Sequence, residues 1–181
     1  ANRIRREENK LYVGFELIAF EAVIELQEND NFIGFTLSDF ILPDDAYGVG
    51  CLFINPPPVS QFRLLQFSLK SRENFGNWLN VVWDKNAAIG VVATTLYALP
   101  DAEQRKDSYL LYADARKDVQ LIGAGAALVM SDGDSFLDCM QSLENFYNLP
   151  NGVQSRRADG INESIYWTSQ IDPTNADKHI A

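Results

Sequence analysis

Short apolar runs rich in β-branched and aromatic residues recur along most of this chain, and turn-forming residues separate them. The run "NFIGFTLSDFIL" alternates apolar and polar residues and stops at Pro43, where "PDDAYG" is typical of a turn. The run "NWLNVVWDKNAAIGVVATTLYAL" predicts a hairpin that turns at residues 84–86 and is broken by Pro100 and Asp101. These patterns predict a mainly antiparallel sheet.

Three further predictions concern the pairing and the faces of these runs. Strict alternation in "FRLLQFSLK" places Phe62 and Leu64 on one face and Leu65 and Phe67 on the other. We expect "SYLLYA" and "VQLIGAGAALVM" to pair with each other around "DARKD". The segment "DAEQRK" between the hairpin and "SYLLYA" is expected to form one helical turn.

One segment near the C-terminal third has the period of a helix. In "DSFLDCMQSLENFYNLP" the large apolar residues recur at spacings of one, three and four, which predicts an amphipathic helix at about 135–148 that ends before Pro150. The preceding acids suit the helix start, because Asp134 or Ser135 can accept hydrogen bonds from its unpaired amides.

The segment 11–26, "LYVGFELIAFEAVIEL", fits two structures. On a helical wheel Glu21, Glu25 and Glu28 share one face, whereas the Tyr, Val, Phe and Ile residues favour a strand. We predict a helix here, with a strand as the alternative. The resulting fold class is α+β, in one domain over 1–181 with flexible polar segments at 1–9 and about 172–181.

The stretch "LIGAGAALVMSDGD" invites two ligand hypotheses, and its spacing argues against both. A dinucleotide site needs a third glycine where Leu128 stands, followed by a helix for which there is no room. A calcium loop counted from Asp132 would have Phe136 and Leu143 at ligand positions. We therefore expect Gly123 and Gly125 to mark a bulge or a close approach of another element, and we predict no cofactor.

The formal net charge is −10, from 15 Lys and Arg against 25 Asp and Glu. Such a surface repels phosphate backbones and anionic membranes, so we expect neither general nucleic-acid binding nor membrane binding. The start of the chain lacks the pattern of a signal peptide, and a cytoplasmic or other intracellular location is expected. Cys51 and Cys139 have apolar neighbours and are predicted to be buried thiols, with a disulfide between them as the alternative.

Catalytic groups are scarce in this sequence. His179 is the only histidine and lies in the polar tail, so we expect neither a Ser-His-Asp triad nor a multi-histidine zinc site within one chain. Carboxylate chemistry remains open, with Asp44 beside Asp45 and Glu16 near Glu21 as candidate pairs.

Two groups of residues are the candidate partner-binding sites. Arg3, Arg5 and Arg6 form a basic start that either pairs with Glu7 and Glu8 or contacts a neighbouring molecule. The tryptophans are the second group, because exposed aromatic rings often anchor protein interfaces: Trp78, Trp83 and Trp167.

These features favour a non-catalytic protein that works through protein–protein contacts or self-association. It would be a subunit of a larger assembly, or an acidic inhibitor or immunity-type protein for a basic partner. Two alternatives stay open. One is a carboxylate-dependent enzyme or a β-rich domain that binds a carbohydrate or a metal. The other is a viral or phage structural subunit with a basic N-terminal arm.

Overall fold

The computed structural model describes residues 3–15, 18–41, 59–76 and 79–150. Within them the chain forms eleven strands and one helix, and all strand pairs are antiparallel. The elements are β1 (Arg3–Glu7), β2 (Lys10–Phe15), β3 (Ile18–Glu28), β4 (Phe32–Ile41), β5 (Gln61–Lys70), β6 (Asn74–Gly76), β7 (Val81–Trp83), β8 (Ala88–Ala93), β9 (Ala98–Gln104), β10 (Ser108–Arg116), β11 (Gly125–Ser131) and α1 (Phe136–Tyr147).

The described elements stack in three layers. The large sheet has the strand order β1-β2-β3-β4-β11-β8-β7-β6, and the small sheet has the order β5-β10-β9. Side chains from both sheets form the main core, including the fully buried Leu37 and Leu111. Helix α1 covers the opposite face of the large sheet, where Leu143 packs with Phe32 and Val129.

Strand β11 is buried on both of its faces. Ala126 and Leu128 face the small sheet, while Ala127 and Val129 face α1. A strand with two buried faces needs an unbroken apolar run, which is why "GAALVM" lacks the alternation seen in "NFIGFTLSDFIL".

The prediction of a helix over 11–26 is wrong, because the described residues of this segment belong to β2 and β3. Glu21 and Glu25 are four residues apart, a spacing that brings side chains to one side of a helix and also to one face of a strand. In the strand, Glu25 pairs with Lys10 (Oε1 to Nζ 3.8 Å). Glu21 pairs with arginines of β1. Long-range ion pairs therefore explain the acidic face that suggested an amphipathic helix.

The prediction of two faces in "FRLLQFSLK" is also wrong, because β5 contains a bulge at Leu64. Ala113 pairs with Leu65 and Asp114 pairs with Arg63, so Leu64 has no partner residue in β10. The extra residue shifts the alternation, and Leu64 and Leu65 are both buried in the main core.

The small sheet contains three further departures from prediction. Pro100 and Asp101 lie inside β9, which is an edge strand. An edge strand tolerates proline because its outer side has no neighbouring strand to which an N–H must donate. In the segment "DAEQRK", residues 101–104 accordingly belong to this strand, and the segment forms no helical turn. Strands β10 and β11 do not pair, because the chain crosses from the small sheet to the large sheet between them.

Two local predictions are confirmed. Strands β7 and β8 form the expected hairpin, in which Asp84 Oδ1 accepts hydrogen bonds from the N–H of Asn86 (2.8 Å) and of Ala87 (3.0 Å). Helix α1 occupies the expected range and ends at Asn148, which has the left-handed conformation. Ser135 occupies the N-cap position as predicted, but its side chain makes no capping bond, and Asp132 Oδ1 accepts a hydrogen bond from the N–H of Ser135 (2.9 Å).

The part of the chain that the structure describes contains no helix with the length and apolarity that a bilayer crossing requires. Cys139 is a buried free thiol, and Cys51 lies outside the described residues.

Candidate protein-interaction surfaces

Strand β1, which we call the basic edge, carries Arg3, Arg5 and Arg6 at the end of the large sheet. All five of its residues are exposed. Arg3 Nη2 and Arg5 Nη2 lie 3.7 and 3.2 Å from the two carboxylate oxygens of Glu21, whose side chain is only 6% exposed. The expected contact of Arg5 with Glu7 is also present. The three arginines therefore lie on an edge strand of the large sheet, as far as the described strands show.

The other contacts of the basic edge hold the guanidinium groups in defined positions. Arg6 donates to Glu28 Oε2 (2.9 Å) and to the backbone oxygen of Glu8 (3.1 Å). The Arg5 guanidinium lies 3.7 Å from the centre of the Tyr12 ring, within cation–π range. Burial acts to lower the pKa of Arg5, but the bonds and charges of Glu21 and Glu7 outweigh it and raise that pKa.

The predicted tryptophan group is not brought together with the arginines. Trp83 is half-buried on β7, and five strands separate β7 from β1. At about 4.8 Å per strand, the two sites are roughly 29 Å apart. Trp78 and Trp167 lie outside the described residues.

Exposed apolar side chains lie on two loops joined by hydrogen bonds and at the start of β9, and the second of these loops was considered above only for its glycines. Leu96 is 93% exposed and Tyr97 follows it in the loop between β8 and β9. Val119 and Ile122 are exposed in the loop between β10 and β11, and Leu99 is exposed at the start of β9. We call these five residues the apolar end.

Hydrogen bonds fix the two loops of the apolar end to each other. The Thr95 hydroxyl donates to the carbonyl of Gly123 (3.1 Å) and accepts from the N–H of Gly125 (2.9 Å). Gly123 has φ +87°, which favours glycine, and a Cβ on Gly125 would lie 2.6 Å from the Thr94 hydroxyl. The glycine pair thus serves the expected close approach of another element.

A polar network occupies the outer face of the small sheet. Arg63 donates from Nε and Nη2 to the two oxygens of Asp114 (2.8 and 3.0 Å), and Gln61 donates to the same carboxylate (2.7 Å). These bonds to Asp114 raise the pKa of Arg63. Asp114 is only 7% exposed, and its hydrogen bonds compensate for that burial. The network therefore has a structural explanation.

Each of the two candidate acid pairs includes residues outside the described ranges, so both remain predictions. Glu21 is held by arginines, while Glu16, Asp44, Asp45 and His179 lie outside those ranges. Over the described ranges, no group of three or more His, Cys, Asp or Glu residues could hold a metal ion. The hydrogen bonds from Ser135 lower the pKa of Asp132, in agreement with its role at the start of α1.

Comparison of the chain with models of known protein families, with curated proteins and with solved structures finds no match. The geometry of the surfaces is therefore the basis for assigning a role. In the sequence, the signal for the apolar end was "TTLYAL", because Leu96 and Tyr97 place two large apolar residues where a turn between strands is usually polar.

Proposed function

We propose that this protein is a non-catalytic subunit that associates with other copies of itself through the apolar end. The observation that supports the proposal most is the exposure of Leu96 on a loop anchored by the Thr95 hydrogen bonds. Contiguous exposed apolar side chains mark interaction surfaces, and the two loops adjoin here, since a Cβ on Gly123 would lie 3.8 Å from Tyr97 Cδ2. A loop that is already ordered loses less conformational entropy on binding than a free one.

The free energy of burying the Leu96 side chain is large enough to influence association. Full burial of a leucine side chain is worth about 1.5–3 kcal/mol, and almost all of that remains available at Leu96 because it is 93% exposed. A charged residue at this position would replace this gain with a desolvation penalty.

The test is size-exclusion chromatography with light scattering of the protein and of Leu96→Asp. We expect the protein to self-associate and Leu96→Asp to shift the mass towards the monomer. Leu79→Asp is the matched control, because Leu79 is a 68% exposed leucine in the turn between β6 and β7. A protein that stays monomeric at every concentration, or equal loss in both variants, contradicts the proposal.

A further inference from the structure

We infer, resting on the proposed function, that the basic edge of one copy pairs with the edge strand β9 of a second copy. Among the strands that the structure describes, β9 is the last one of the small sheet, and it continues directly from the loop of Leu96 and Tyr97. The contact would therefore extend the apolar end by a strand-to-strand interface.

The two edge strands have opposite charges. Strand β1 contains three arginines and one glutamate, a net charge of +2. Strand β9 contains Asp101, Glu103 and no cation, a net charge of −2, and both acids are exposed. A strand of charge +2 is unusual in a chain of net charge −10, and it would be attracted to the acidic strand of another copy.

An antiparallel register matches these side chains position by position. Placing Arg5 opposite Asp101 also places Arg3 opposite Glu103, because antiparallel partners change in opposite directions. Arg3 and Arg5 share one face of β1, since both reach Glu21. Asp101 and Glu103 likewise share one face of β9, because they are separated by two residues.

The same register suits the other face of the two strands. Ile4, which is 70% exposed, comes opposite Ala102, which packs against the main core. Arg6 comes opposite Pro100, where the ladder lacks one donor because proline has no N–H. The ion pairs and the Ile4 contact therefore set the register.

Pairing between identical edges is unfavourable. A symmetric pairing of two β1 strands centred on Arg5 places that arginine opposite its own copy, and two β9 strands centred on Asp101 place the two aspartates together. Like charges directly opposite each other destabilise a strand pair. The contact is thus head-to-tail, and such an interface builds a ring or an open filament instead of a two-fold dimer.

The ion pairs that β1 and β9 make within one chain do not prevent these two strands from pairing between copies. Arg5 and Glu7 are both about half exposed, Asp101 accepts from the exposed hydroxyl of Tyr112 (3.0 Å), and Glu103 pairs with the exposed Arg105 (3.2 Å). These exposed contacts contribute little net stability and can be exchanged, whereas the bonds of Arg3 and Arg5 to the buried Glu21 are kept, since each guanidinium has several donors. The interface adds backbone hydrogen bonds between the two strands.

Charge reversal of each edge tests the pairing. The variant Asp101→Lys with Glu103→Lys has two basic edges, and the variant Arg3→Glu with Arg5→Glu has two acidic edges. We expect each variant alone to associate at least about tenfold more weakly than the parent protein. We expect their equimolar mixture to associate again, because each then offers the edge that the other lacks. Normal association of a single variant, or no recovery in the mixture, overturns the inference.

Far-ultraviolet circular dichroism of every variant serves as the control that the variant is folded. Arg3→Glu and Arg5→Glu place like charges beside the buried Glu21, so Arg3→Gln with Arg5→Gln is the second variant. It should fold and associate more weakly, and unchanged association also overturns the inference. If Leu96→Asp abolishes association but edge variants do not, only the edge pairing fails. A monomeric parent protein contradicts both proposals.

Discussion

Tyr147→Phe is expected to leave the protein as stable as the parent or to stabilise it. The Tyr147 hydroxyl is buried beneath α1 and has no hydrogen-bond partner among the described residues, and burial raises the pKa of its phenol. A buried hydroxyl without a partner costs about 1–3 kcal/mol of desolvation, and its removal recovers part of that. Tyr112→Phe is the matched control, because its exposed hydroxyl donates to Asp101, and its loss should destabilise by at most about 1 kcal/mol.

Gly34 tests the same contact from the facing strand. A Cβ on Gly34 would lie 1.8 Å from the Tyr147 hydroxyl oxygen and 3.1 Å from the ring carbon that bears it. Gly34→Ala should destabilise the protein by about 1–3 kcal/mol, because overpacking outweighs the 0.4–1 kcal/mol gained by restricting the unfolded chain. In the Tyr147→Phe background the hydroxyl clash is absent, so the loss should shrink by about 1 kcal/mol.

Urea unfolding followed by circular dichroism gives the free energies for this double-mutant cycle. If Tyr147→Phe alone destabilises the protein by more than about 1 kcal/mol, the hydroxyl has a partner and the reasoning is refuted. Additive effects of Gly34→Ala and Tyr147→Phe would show that the two groups are not in contact.

Three further predictions concern the turns around Asp84 and the phenol of Tyr147. The pKa of Asp84 is lowered by its backbone bonds to Asn86 and Ala87 and by Arg72, so its contribution to stability is present above its unfolded pKa and is lost as pH falls through the folded pKa. The difference in urea midpoint between the protein and Asp84→Asn should therefore be largest near neutral pH and vanish in acid. Gly133→Ala should destabilise by about 1–3 kcal/mol in the same assay, because a Cβ there lies 2.5 Å from the backbone oxygen of Asp84. Gly14→Ala, whose nearest contact is the flexible Arg3 side chain at 3.3 Å, should have a smaller effect. The raised pKa of Tyr147 favours the neutral phenol in the folded state, so its contribution to stability should be lost only as the pH rises above 10. Tyr147→Phe should remove that part of the loss of stability in alkali.

Local signals predicted the elements whose structure is determined locally. Helix α1 was predictable because its apolar stripe and Pro150 lie within one segment. The hairpin of β7 and β8 was predictable because Asp84 accepts a hydrogen bond from a backbone N–H of the same turn. The segment 11–26 was mispredicted because the partners of Glu21 and Glu25 come from other strands. Periodicity alone cannot separate helix from strand when charges recur every four residues.

The candidate surfaces were predictable only in part. The basic edge was visible as three arginines in four positions, but its strand partner and the buried Glu21 were not. Two features depend on which strands become neighbours in the sheets: the bulge at Leu64 and the separation of β10 from β11. The alternation of apolar and polar residues within one strand does not predict those neighbours. The apolar end arises only when the Thr95 hydrogen bonds bring two distant loops together.

The position of β11 has a consequence for the order in which the protein folds. Strands β4 and β8 both pair with β11 and not with each other, so β11 joins the two halves of the large sheet. A ribosome delivers this strand after the ten other described strands, and until residues 125–131 emerge each half exposes an unpaired apolar edge. Closing contacts over such sequence separation makes folding slow, on the scale of milliseconds to seconds. Nascent chains of this protein therefore present two aggregation-prone edges until residues 125–131 have left the ribosome.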